Sequence, residues 1–154
     1  MKITARSMLA NFLLLASLVA INPTTASFAQ TPGKPLKEAL IGHWQLVSVT
    51  ANERTPYGTD PHGSMFIDGA GHFSIIVISS GGARSVAYYG TYTVNDADKL
   101  MTLHLEDSVG GGTSNAAGRD LKRLVVLNGD EMTIQNERQD GSPGTIKLTW
   151  KKAT

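Results

Sequence analysis

The sequence predicts an all-β fold, a small antiparallel up-and-down eight-stranded barrel, and three observations carry that reading. At least seven strand-like runs follow one another at short spacing, beginning with Gly42-His43-Trp44-Gln45-Leu46-Val47-Ser48-Val49-Thr50. The segments between them are rich in Gly, Asn, Asp and Pro, the residues that turn a chain tightly. No stretch after residue 41 carries a helical repeat of more than a turn or two. Short sequential connections imply antiparallel neighbours, and eight strands can close on themselves. The absence of long crossing connections favours this meander over a two-sheet sandwich.

The elements follow in order. Leu36 to Ile41 is expected to make one helical turn leading into the first strand, His43 to Thr50. Asn52 to Gly63 holds Pro56, Pro61 and Gly58 and is a loop. Ser64 to Asp68 is the second strand, and Asp68-Gly69-Ala70-Gly71 turns into the third, His72 to Ser79, rich in Ile and Val. Ser80-Gly81-Gly82 turns into Val86 to Val94, which carries three of the four tyrosines. Asn95 to Asp98 leads to Leu100 to Glu106, and Asp107 to Gly118 is a long glycine-rich loop. Asp120 to Leu127 is joined to Glu131 to Arg138 through Asn128-Gly129, a strong two-residue hairpin signal. Asp140 to Gly144 turns into the last strand, Thr145 to Lys151.

The N-terminus reads differently. Lys2 and Arg6 precede an apolar stretch from Met8 to Ile21, and Ser27-Phe28-Ala29 places small residues before a cut after Ala29. These are the parts of a secretory signal peptide, with an apolar run shorter than the ~20 residues of a membrane span. The expected organisation is therefore a signal peptide over 1–29, a tail over 30–41 and a barrel domain over 42–154, in a periplasmic or secreted protein with no stable membrane span after cleavage. Removing Lys2 and Arg6 leaves 12 basic against 13 acidic residues, so the mature chain is near neutral. It has no basic track for nucleic acid. Cysteine is absent, which excludes disulfides and thiol chemistry.

Several segments together resemble a known family. Gly42-x-Trp44 on the first strand is similar to the signature of the lipocalin and calycin superfamily. The series Leu40 to Val49, Gly63 with Asp68-Gly69 and Phe73-Ser74, Tyr89 to Val94, His104-Leu105-Glu106, Lys122-Arg123, Gly129-Asp130 and Trp150 resembles the bacterial and fungal lipocalin-like domain family. The resemblance implies a small lipocalin-like barrel and no single activity. Two departures are visible. The loop from Gly110 to Gly118 lacks aromatic and proline residues, and Lys151 and Lys152 stand where a lipocalin often has an arginine stacked on the first-strand tryptophan.

Alternation places candidate site residues on shared faces. Gly42 and Trp44 are expected to close the barrel, Trp44 as an indole plug. Tyr88, Gly90, Tyr92 and Val94 share one face of the fourth strand, and Tyr92 is a candidate to bind a polar ligand group. Thr102, His104 and Glu106 share a face of the fifth, and Leu121, Arg123, Val125 and Leu127 share one of the sixth. Apolar counts put Met101, Leu103 and Leu105 inside on the fifth strand and slightly favour Leu121, Val125 and Leu127, the face of Arg123, on the sixth; the two assignments read as conflicting, and the resemblance favours His104 as interior. The expected ligand-binding set is Tyr92, His104, Glu106 and Arg123, with Arg123 holding an anionic head group and the ligand's apolar body among Ile75, Val77 and Leu105. The scattered histidines, His43, His62, His72 and His104, do not make a metal site, and no catalytic residue or cofactor is assigned.

The expected function is binding of a small hydrophobic or amphipathic molecule by a monomer or weak dimer. One alternative is a small barrel enzyme of isomerase or cyclase type using His104. The other is a packed barrel acting as a protein-interaction module, for which Ile76 and Ile78 would supply an exposed apolar face.

Overall fold

A computed structural model describes residues 34–111 and 116–154. The expected signal peptide over 1–29 lies outside the described residues. The described chain begins with α1 (Leu36–Leu40), followed by β1 (Gly42–Ala51), β2 (His62–Ile67), β3 (His72–Ile78) and β4 (Ser85–Asn95). The second half is β5 (Leu100–Gly110), β6 (Asp120–Asn128), β7 (Glu131–Glu137) and β8 (Pro143–Lys152). Each strand pairs antiparallel with the next, and β1 pairs with β8, which closes the barrel in sequence order. No helix among the described residues is long and apolar enough to cross a membrane.

Alternating apolar residues build the interior. Met65 and Ile67 come from β2, Phe73, Ile75 and Val77 from β3, Met101, Leu103 and Leu105 from β5, and Met132 and Ile134 from β7. Two irregularities re-aim the strands. In β1 the register shifts between Leu46 and Ser48, so Val47 bulges outward and Val49 returns to the core. In β5 the partners of Gly90 and Tyr89 are Leu105 and Asp107, so Glu106 is the extra residue. That bulge lets β5 continue to Gly110, four residues beyond the expected end at Glu106, and shortens the expected Asp107–Gly118 loop.

One end is plugged. Leu36 and Leu40 of α1 are buried beside the strand ends, and Trp44 is 0% exposed with its Nε1 donating to Leu40 O at 2.8 Å. Lys152 Nζ lies 5.2 Å from the Trp44 ring centroid, so a lysine takes the cation–π position over the indole. At the same end Tyr92 donates its hydroxyl to Asp68 O at 2.7 Å, and Asp68 Oδ1 accepts from Gly71 N and His72 N at 2.8 Å each.

The middle is filled. A void wide enough for water would leave accessible surface on its walls, yet Met65, Met101, Leu103, Leu105, Met132 and Trp150 have none. Ile75, Val77 and Leu105, expected around a ligand's apolar body, instead pack against one another and their neighbours. Among the described residues the Trp150 indole N–H has no hydrogen-bond partner. An unmade buried hydrogen bond costs about 1–3 kcal/mol. Trp150→Phe removes that donor, and relief of the unmet bond offsets the lost packing. Trp44→Phe strips Leu40 O of its donor with no such relief. Urea denaturation is therefore expected to find Trp44→Phe the less stable of the two by roughly 1–3 kcal/mol. Equal stabilities would contradict this.

Candidate functional site

The open end lies opposite α1, where β1, β3, β5 and β7 finish. The loop after β1 and the turn after β3 are tied together there. Ser80 N donates to Tyr57 O at 2.8 Å, and Ser80 Oγ donates to Asp60 O at 3.0 Å. These bonds hold Tyr57 over the rim, half-buried against the core, with its hydroxyl near Gly111. The Arg84 guanidinium sits 5.8 Å from the Tyr57 ring centroid. Between these groups and Val49, Gly111 and Ile146 is an open cleft of about 710 Å³. On the far side of the mouth Ala116 is buried, its N–H donating to Ser108 Oγ at 3.2 Å.

Two further side chains continue the cluster inward. Tyr88 is inward on β4, and Arg123 is inward and half-buried on β6 between Met101 and Asn136. Burial pushes the Tyr88 phenol above its ordinary pKa, while the adjacent Arg123 guanidinium opposes the shift and Tyr57 adds to it. At neutral pH the hydroxyl therefore keeps its proton and can donate. Arg84 lies over Tyr57 in the cleft, and Tyr88 neighbours both Tyr57 and Arg123, although neither Tyr88 nor Arg123 lines the cleft itself. Arg123 spends one N–H on Lys122 O at 3.0 Å. Among the described residues no carboxylate lies within ion-pair distance of it. The Arg123 guanidinium bonds Lys122 O and the Tyr88 hydroxyl, and its five N–H donors exceed those two bonds, so it can also receive an acceptor group.

The structure does not bring the four expected ligand residues together. Only Arg123 reaches the open half of the interior. Tyr92 is inward as expected, but its hydroxyl is spent on Asp68 O at the plugged end, where burial and then the Asp68 charge raise its pKa. His104 faces out, with a side chain 55% exposed and Nδ1 donating to Asp120 Oδ1 at 2.8 Å. The expectation of an interior His104 is thus corrected: Met101, Leu103 and Leu105 fill that face, as apolar counting alone favours. Glu106 is exposed at the bulge. Gly42 and Trp44 both sit at the plugged end. Among the described residues no group of three or more His, Asp or Glu is placed to hold a metal ion.

Tyr57 and Arg84 were not singled out by alternation, because both lie in connections where no repeat applies. The one available signal is that Tyr57 is the single aromatic residue in a loop otherwise made of small and polar residues. In comparisons with known proteins the chain matches no family model, no curated protein and no solved structure.

Proposed function

We propose that this protein is a lipocalin-like barrel, exported behind a cleaved leader, that binds a small amphipathic anion at its open mouth. The reading rests above all on Arg123. Its guanidinium has no carboxylate partner among the described residues, so a bidentate bond to an incoming anionic group is open to it. Tyr88 and Arg84 add a neutral donor and a second cation along the same path, and the rings of Tyr57 and Tyr88 supply apolar contact area. The filled middle supports a ligand seated at the mouth and not swallowed by the barrel. Export is supported by Lys2 and Arg6, the apolar stretch Met8 to Ile21 and Ser27-Phe28-Ala29.

Calorimetric titration of the full chain with dodecanoate, an amphipathic carboxylate, tests this reading. Arg123→Met keeps the apolar stem and removes the charge. A hydrogen bond to a charged group contributes about 1.5–3 kcal/mol, so Kd is expected to rise roughly 10- to 100-fold. Equal affinity of wild type and variant would rule out Arg123 as the anchor, and no heat of binding with wild type would remove the reading for this class of ligand.

A further inference from the structure

The outer surface of the barrel is divided by charge. The strands β2, β3 and β4 contain no Lys, Arg, Asp or Glu. Their outward side chains, with those of the adjoining β1 and β5, form cross-strand rows: His43, Phe66, Ser74, Tyr89 and Asp107 in one, and Ser64, Ile76, Ala87 and Val109 in the next. Phe66 is 51% exposed, Ile76 48%, Tyr89 50% and Val109 67%. All four histidines of the chain surround this face. His43 stacks on Phe66 at 4.2 Å between centroids, and His62, His72 and His104 face outward at its margins. On the opposite side, exposed apolar residues such as Val126 are interspersed with Lys122, Glu131, Lys147 and Lys151.

The face also has relief. A groove of about 260 Å³ lies among Ile76, Ala87, Tyr89, Val109 and, at its edge, Asp107, and a second of about 470 Å³ lies among Phe66, Ser74, Tyr89 and the Asp68–His72 pair, whose side chains bond at 3.0 Å. Tyr89 forms the wall between them. Protruding rings therefore stand directly beside recesses on the same surface.

We propose that this face is the interface of a homodimer in which two copies pack outer sheet against outer sheet about a two-fold axis. A two-fold contact sets the same patch against itself, so any net charge on it repels its copy. Of the outward residues in the two central rows only Asp107, at the edge, carries a formal charge when histidine is neutral. The same symmetry requires that a knob and its recess occur on one surface, as Phe66, Tyr89 and the two grooves do. Strand spacings of about 4.8 Å and a rise of about 3.3 Å per residue give a face near 20 Å on each side. That is about 400 Å² per copy and roughly 800 Å² in all, the size of a weak, transient contact, so the expected dimer is of micromolar strength or weaker. The proposal is independent of ligand binding at the mouth.

Sedimentation velocity of the full chain at pH 8, from about 1 to about 300 μM to span that micromolar regime, tests it. The expected result is a reversible monomer–dimer equilibrium that is lost in Ile76→Lys and kept in Val126→Lys, the matching change on the charged side. Near-UV circular dichroism confirms that each variant retains its packed core. If Ile76→Lys does not fold, Val109→Lys, near the end of β5, makes the same test. A monomer at every concentration overturns the proposal, as does a dimer unchanged by lysine at this face. A monomer that floats with phosphatidylcholine vesicles and loses that property in Ile76→Lys also overturns it, and assigns the face to a lipid surface.

Discussion

Trp44→Ala is expected to remove about 3–5 kcal/mol of folding stability, the range for truncating a large buried aromatic residue. Trp44 is fully buried at the plugged end and joins three otherwise separate pieces of chain. Its Nε1 donates to Leu40 O of α1, its ring packs in the core cluster with Leu36 and Leu40, and Lys152 of β8 lies over it. Truncation opens a cavity and leaves the Leu40 carbonyl without its donor. It also frees α1, which has only five residues and is too short to persist unpacked. No disulfide compensates, since the chain has no cysteine. A typical domain has only 5–15 kcal/mol in total, so much of the stability depends on this one side chain. Urea unfolding followed by Trp150 fluorescence measures the loss, and a change under about 1 kcal/mol would contradict the plug assignment.

Gly90→Ala is expected to be at least as damaging for a different reason. Gly90 is inward on β4 opposite Leu105, beside the Glu106 bulge. A Cβ at this position would be driven into the His104 carbonyl oxygen and would lie 2.9 Å from Glu106 N. Both are ladder backbone atoms with no rotamer to escape through. Overpacking of this kind costs typically 1–3 kcal/mol and more when backbone must move. The β4–β5 pairing is the longest in the barrel, so its loss opens the closed wall along that seam. Gly90→Ala is expected to lower the thermal midpoint by roughly 4–12 °C or to yield insoluble protein, at about 4 °C per kcal/mol for a fold of this size. A midpoint within about 2 °C of wild type would show that the bulge relaxes freely.

Much of the architecture was legible because strand alternation and turn chemistry are local. Asn128-Gly129 announces its hairpin, and Gly129 does adopt a positive φ of 60°. The sides of β5 and β6 were also legible strand by strand: each apolar count points the right way, since Met101 is registered with Arg123 and Leu103 with Leu121. What misdirected the reading of His104 was taking those two counts to conflict, which the register shows they do not, and letting the resemblance decide. The end of β5 was not legible, because Gly110 and its neighbours carry the composition of a loop, and a bulge that extends a strand leaves no local trace. The mouth was legible only through Arg123. Tyr57 and Arg84 reach the site through loop-to-loop bonds such as Ser80 N to Tyr57 O, contacts that depend on the closed barrel and not on neighbouring residues.

The most direct measurement for the central claim is an amide chemical-shift titration of the isotopically labelled full chain with dodecanoate. Binding at the mouth gives saturable shifts at Tyr57, Arg84, Tyr88, Gly111 and Arg123, and leaves the amides of Met65 and Leu103 in the filled middle quiet. Shifts centred on Phe66 and Tyr89 of the outer face, or none at all at saturating dodecanoate, would contradict a ligand-binding mouth.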